Sequence, residues 1–431
     1  MAAKKASISK DLGIETDRTT YRPGDTVSGV IYRASTIVST EATIDVVFHG
    51  RSKSYIDYRS GDVTYTYKGE FALFRQEKQI FQGPLHIPSK DRQQWPFSFT
   101  IPANIDARLY PGEYSPKLSY IPLDSDSVGK RELPASFSVS NGGAKGTIEY
   151  LFEATLKSEG QGSSSTEKAV LPIRLINVDP NPPISDFDFE VTSHADTVCS
   201  QRLVPGKENA ELSTSDKMKK FFGTSSVPVL AFNLQVQVPK VVQLSDSPIP
   251  VYMRVIPNWT DTSESIRNAP QKAKLASFRA SLKYEFDVVG SDSGDPYTDY
   301  ASEKVELLND EVGNDVVEIP CTTGDKPPPA DIGTAIRLRL SDKALPNVST
   351  FNIKTTTQKL SWKATCKIAN ESFSASGSNE VTILPASIDS PPSWMAPPDD
   401  DVPPPSFADV QRQDEKKSFS VSSSKYPKEK Q

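Results

Sequence analysis

Histidine and cysteine are both scarce in this chain, with three of each among 431 residues. His49, His86 and His194 are too few for a multi-histidine metal site without other ligands. His194 and Cys199 could share a metal in principle, but no matching pair follows them. Cys199, Cys321 and Cys366 suit a reducing compartment, where none need pair. Positive charge is not in excess either. A net charge of -6 argues against a general nucleic-acid binder, which usually shows a basic face. No apolar run approaches membrane-spanning length, and the opening MAAKKASISKDLG lacks the apolar core of a secretory signal. The expectation is a soluble, cytoplasmic protein.

Catalytic patterns are thin as well. DSDSVG (124–129) opens like a calcium loop, yet it puts Val128 where a carboxylate or amide belongs and Ala135 where the bidentate Glu would fall. STEK (165–168) matches S-x-x-K without the companion motifs. GGAKG (142–146) has neither the spacing of a phosphate loop nor a helix after it. No catalytic residue, metal ligand or cofactor is assigned, and the chain reads as a non-enzyme.

Proline and glycine are plentiful, at 35 and 22, and they punctuate short alternating runs. YRPGDTVSGVI (21–31) is one such place. Pro23 presets φ for the second position of a turn, Gly24 supplies the positive φ of a type II third position, and Asp25 leads into the next strand. Leu12 and Ile14 before the turn, with Val27, Gly29 and Ile31 after it, predict an antiparallel pair. Ile44, Val46 and Phe48 alternate, as do Trp95, Phe97, Phe99 and Ile101. Ile148, Tyr150, Phe152, Ala154 and Leu156 mark a half-buried strand.

The pattern stops at NVDPNPPIS (177–185), whose three prolines favour an extended connector. A second set follows: Leu230 to Val238, then Ala276, Phe278, Ala280, Leu282, Tyr284 and Phe286, and finally Leu360, Trp362, Ala364, Cys366 and Ile368. Cys366 falls in the apolar phase and reads as a core residue. The predicted fold is all-β, with two sandwiches in tandem: residues 1–178, a linker over 179–185, and residues 186–386. STSDKMKKFFG (213–223) alone has helical character. Residues 387–431 are rich in Pro, Ser, Asp and Lys and are expected to be a disordered, dispensable tail.

Two stretches carry binding chemistry. Lys217, Lys219 and Lys220 sit beside Phe221 and Phe222, which suits either an anionic membrane surface or a solvated loop with two residues packed down. In the tail, Pro391-Pro392-Ser393-Trp394 and Pro404-Pro405-Ser406-Phe407 each place an aromatic after a proline pair. Such segments are preorganised ligands for the aromatic grooves of WW and SH3 domains; the bland alternative is a Pro-rich spacer.

These features converge on a family. YRPGDTVSGVI, VVFHGRSKSYI, WPFSFTIP and LPASFSVSNGGAKGTIEYLFEATL, in that order over residues 8–157, resemble successive strands of the N-terminal arrestin domain, specifically in the α-arrestin branch common in fungi. LQVQVPKVVQLSDSPIPVYMRVIP and TQKLSWKATCKIANESFSASGSNEVTILP resemble, more loosely, strands of the C-terminal arrestin domain. The resemblance implies two immunoglobulin-like arrestin sandwiches and an adaptor without enzymatic activity. Such an adaptor binds membrane transporter or receptor cargo, recruits a WW-domain HECT-type ubiquitin ligase, and works at the plasma membrane or endosomes in endocytosis. A retromer-type coat subunit of the same fold, which needs no ligase, is the alternative. The family's ligase dock is PPxY, and this chain has PPSW and PPSF instead. Losing one tyrosine hydroxyl bond costs about 0.5–1.5 kcal/mol, up to roughly tenfold in affinity.

Overall fold

The computed structural model describes residues 11–88, 91–109, 116–160, 163–208, 227–292, 294–311, 317–321 and 328–395. Almost all regular structure in them is strand, and the molecule is an all-β sandwich fold. Strand Leu12–Thr16 pairs antiparallel with Thr26–Arg33, Ile14 facing Ile31, and Gln93–Thr100 completes a three-stranded sheet. The intervening turn takes the expected type II form. Gly24 sits at φ 89°, and the Asp25 amide donates to the Arg22 carbonyl at 3.1 Å. Asp25 also closes the turn with its side chain, Oδ2 accepting the Arg22 amide at 2.9 Å. Thr20–Tyr21 leaves this sheet and pairs in parallel with Arg174–Leu175, so the expected hairpin is divided between two sheets.

Against the small sheet lies a long hairpin, Ile37–Ser60 and Val63–Ile87, extended by Ala144–Gly160 and Ser163–Leu175. The alternation of Ile148, Tyr150, Phe152, Ala154 and Leu156 is buried as predicted. Phe152 stacks on Phe48 at 4.2 Å and meets Phe97 and Phe99 of the small sheet at 5.2 and 5.8 Å. Burying one such ring contributes about 1.5–3 kcal/mol, so these four aromatics dominate the join between the two layers. Arg33 is buried there as well, paired with Glu167 across the layers.

Later strands repeat the arrangement. A four-stranded antiparallel sheet orders Phe189–Cys199, Val229–Pro239, Tyr252–Pro257 and Ala330–Asp331. It packs on Ala273–Asp292, Ile353–Ile368 and Glu371–Glu380, with Phe232 edge-on to Phe373 at 4.7 Å and His194 edge-on to Trp362 at 5.6 Å. Leu360, Trp362, Ala364, Cys366 and Ile368 all point inward. Burial pushes the Cys366 thiol up to about 12, as it does for Cys321, which removes both as nucleophiles. In Ala273–Asp292 the predicted phase holds only from Phe278 onward. Upstream, Ala273 and Leu275 are buried and Ala276 is half-buried.

DSDSVG forms a capped helical turn, Ser125–Gly129, with Asp124 accepting the Ser127 amide at 2.8 Å. No helix among the described residues is long and apolar enough to cross a membrane. The 213–223 segment lies outside the described residues.

Among the described residues, strand pairing stays within residues 12–175 or within residues 189–384, save at two places. Lys68 pairs with Ser291, which joins strands of both halves into one eleven-stranded sheet. Val178–Asp179 pairs in parallel with Ala386–Ser387. The Pro-rich connector is therefore held rather than free. Ser387 Oγ donates to the Asn181 carbonyl at 2.7 Å, and the Ile184 amide donates to Gln243 at 3.1 Å.

The same contacts move the start of the expected tail. Ser387 is 1% exposed, the Ile388 amide donates to Asp179, and the Ser393 amide donates to Asp246 at 2.7 Å. Disorder cannot begin at residue 387. A two-residue ladder between backbones leaves no apolar periodicity in sequence, which is why composition alone placed the boundary early. Truncation after Met395 should leave the thermal midpoint unchanged. Truncation after Ala386, which strips the ladder and its buried hydroxyl, should lower it by about 3–6 °C in a calorimetric scan.

Candidate interaction surface

The residues singled out from sequence fall in three places. Pro23, Gly24 and Asp25 form the structural turn described above. Lys217, Lys219, Lys220, Phe221 and Phe222 lie outside the described residues, as do Pro404, Pro405 and Phe407. Pro391 and Pro392 are described, and they are not presented as a free ligand: Pro391 is half-buried, Pro392 is buried, and Trp394 follows in a short 3-10 turn, Ser393–Met395.

Neither sequence-level alternative for chemistry assembles. His194 and Cys199 stand five positions apart on one strand, about 16 Å and on opposite faces. Ser165 and Lys168 are three apart in Ser163–Leu175 and also face opposite sides. Among the described residues no group of three or more His, Cys, Asp or Glu could hold a metal ion.

What the fold does assemble is a junction between its halves. The tripeptide Thr350-Phe351-Asn352 runs into strand Ile353–Ile368 and inserts beside the long hairpin. Asn352 is fully buried. Its Oδ1 accepts from Ser52 Oγ at 2.6 Å, while its Nδ2 donates to Ser54 Oγ at 3.1 Å and to the Gly69 carbonyl at 3.2 Å. Ser52 spends its one proton on Asn352, so its oxygen is left to accept from Thr350 Oγ1 at 3.0 Å, whose single proton is shared with the Ile353 carbonyl at 3.3 Å. Ser54 in turn donates to the Val289 carbonyl. Backbone bonds complete the seam: the Val289 amide to the Asn352 carbonyl at 3.1 Å, and the Tyr120 amide to the Phe351 carbonyl at 2.6 Å. Phe351 stacks on Phe71 at 4.9 Å.

Two glycines permit this approach. A Cβ on Gly69 would stand 2.5 Å from Ser54 Oγ and 2.9 Å from the Val289 carbonyl oxygen. On Gly290 it would stand 2.9 to 3.1 Å from the Tyr67–Lys68 peptide group. The backbones can therefore pair at Lys68 and Ser291.

That close approach brings two hairpin ends together. One reverses at Gly61, with Tyr58 opposite Tyr65; the other reverses at Gly294, with Gly290 opposite Tyr297. Tyr67 stacks on Tyr297 at 4.6 Å, Tyr297 meets Tyr58 at 5.3 Å, and Tyr58 meets Tyr65 at 6.5 Å. Four rings from two halves form one row. Tyr58 and Tyr65 are each 42% exposed, and Val63 on the same face is 52% exposed. Partial desolvation, with Asp299 and the neighbouring rings behind it, raises the Tyr297 phenol above its ordinary value. Lys68 and Tyr55 occupy the opposite face, the ammonium 5.9 Å from the ring.

No sequence motif announced this row, although YRSGDVTYTY (58–67) carries a local signal: tyrosines on the outer phase of a hairpin. Its partner Tyr297 is about 230 residues away, and only the folded chain joins them.

No protein-family model matches the chain, and no curated protein matches it. The arrestin resemblance therefore stands on the motifs quoted above.

Asn352→Ala should be among the most damaging single changes at the junction. It leaves Ser52, Ser54 and the Gly69 carbonyl short of partners, at about 1–3 kcal/mol for each buried group left unpaired. Urea unfolding should show the loss, with Asn352→Asp failing to restore it because a carboxylate cannot donate to Ser54 and Gly69.

Proposed function

We propose that this protein is an arrestin-like trafficking adaptor, without enzymatic activity of its own. It holds membrane transporter or receptor cargo on its β-sandwich body and links that cargo to a WW-domain HECT-type ubiquitin ligase, at the plasma membrane or endosomes. The observation that carries the reading is the composite surface: an exposed aromatic row built from both halves and fixed by a buried polar seam. Exposed aromatics on rigid strands serve contact with other macromolecules, because ordering them on binding costs little further entropy. The motifs of residues 8–157 supply the family direction, and Pro404-Pro405-Ser406-Phe407 supplies a ligand for a WW groove.

One observation favours the coat-type alternative, a retromer-like scaffold that recruits no ligase. Pro392 is buried and Ser393 is bonded to Asp246, which withdraws the first of the two proline–aromatic segments from such a groove. Affinity capture with the full chain and with a truncation after Met395 separates the two readings. The adaptor should bring down membrane proteins in both forms and a WW-domain ligase only with the full chain. Restoring PPSY through Phe407→Tyr should tighten ligase capture by up to about tenfold. Capture of coat proteins without any ligase, in both forms, overturns the adaptor in favour of the coat subunit.

A further inference from the structure

Resting on the adaptor reading, we propose that the tyrosine row receives an extended, arginine-bearing segment of the partner. The row offers Tyr58, Tyr65, Tyr67 and Tyr297, with centroids 4.6 to 6.5 Å apart along their contacts. Stacked phenol rings present π faces and edges together, which suits flat guanidinium groups laid over or between them. Charge selects among possible occupants. On the strand face that carries Tyr297, this hairpin end presents Asp292, Asp295 and Asp299, while the nearby basic residues, Arg59 and Lys68 of the other hairpin and Lys283 paired with Glu285, fall on the opposite face. Asp299 lies two residues from Tyr297 on the same strand face, where its charge helps to raise the Tyr297 phenol, and exposed Asp295 sits at the adjoining tip.

A purely proline-rich ligand would leave that negative field unmatched, and an anionic lipid surface would be repelled by it. Basic segments next to the membrane are common on the cytoplasmic side of membrane proteins, so the chemistry is compatible with the cargo proposed above. The tyrosines stand on strands fixed by the Asn352 seam, so the site is formed before the partner arrives.

The test uses the full chain and fluorescent peptides in an anisotropy titration. The probe alternates Arg with Ser and Gly; companion probes replace Arg by Lys, by Glu, or by a neutral Pro-rich sequence, and vesicles with anionic headgroups form a fifth arm. The Arg peptide should bind most tightly, the Lys peptide several-fold more weakly, and the Glu peptide not at all. Tyr58→Ala with Tyr297→Ala should weaken the Arg peptide by about tenfold, whereas Tyr58→Phe with Tyr297→Phe should retain it, since the ring and not the hydroxyl holds the cation. Asp295→Asn with Asp299→Asn should weaken it several-fold and flatten its salt dependence. All variants are at exposed or half-exposed positions, and unchanged thermal midpoints confirm that they fold. Tightest binding by the Pro-rich peptide or the vesicles, equal binding by Arg and Glu peptides, self-association lost with the Ala pair, or an Ala pair that binds like the parent would each overturn the proposal. Cargo capture that survives the Ala pair sinks this site and leaves the adaptor standing. Peptide binding as described, without membrane-protein capture, sinks the adaptor and leaves the site.

Discussion

One fully buried amide holds the two halves of this molecule in register. Asn352 uses both donors and its acceptor on groups that belong to the long hairpin, of which Ser52 and Ser54 are buried and Gly69 is half-buried. Few side chains could replace it. Aspartate lacks the donors, leucine leaves three polar groups unmatched, and glutamine is a methylene too long for a seam where Gly69 has no room even for a Cβ. A polar seam of this kind gives less net stability than an apolar one of equal area, yet it defines a single arrangement. A sliding or rotated interface would break several directional bonds together. Phe351 on Phe71 then supplies the non-directional part of the attraction.

The consequence reaches the surface. Tyr58 and Tyr297 belong to different hairpins and make contact because Gly290 lets the backbones pair at Lys68 and Ser291. Without the seam, the tyrosines would be unrelated aromatics on two separate hairpins. With it they form one row whose geometry is fixed by strands, and binding to such a row loses less entropy than binding to a loop. The fold's contribution to the proposed function lies in this positioning, because the same sandwich architecture would serve other sites equally well.

Much of the fold was legible in the sequence, and the reason is periodicity. Phe48, Phe97, Phe99 and Phe152 each fall in an apolar series of period two, with Val47 and Leu151 the exceptions on the other face, so each names its own buried face before any partner is known. The Pro23-Gly24 turn was legible because φ restricts those two positions to few conformations. The seam was not legible. Ser52, Ser54, Thr350 and Asn352 are residues that ordinarily face solvent or cap turns, and only contact across nearly 300 residues makes them interior. The Ala386–Ser387 ladder was missed for a related reason: it is held by backbone groups, which every residue carries alike. Tyr58 and Tyr65 were visible as hairpin residues, but their convergence on Tyr297 depends on the Gly290 approach.

The buried Pro392 bears on how a ligase arm would work in the adaptor proposed here. A WW groove that takes residues 391–394 must first lift Pro392 out and break the bond from Ser393 to Asp246. The bond from Ser393 to Asp246 is exposed and contributes about 0.5–1.5 kcal/mol at most, to which the burial of Pro392 adds, so the free segment is a minor population. Apparent affinity falls in proportion, on top of the loss from replacing tyrosine with tryptophan. Two neighbouring proline–aromatic segments would otherwise act in concert through effective concentration, but a docked segment contributes little to that effect. In that proposal the recruiting role would concentrate on Pro404, Pro405 and Phe407. A ligase that engages the pair cooperatively would pull the 391–393 segment from the body and, through Ser387 and Asn181, tug on the connector between the halves. Ligase engagement and the hold on the connector would thus be coupled through one short stretch of backbone.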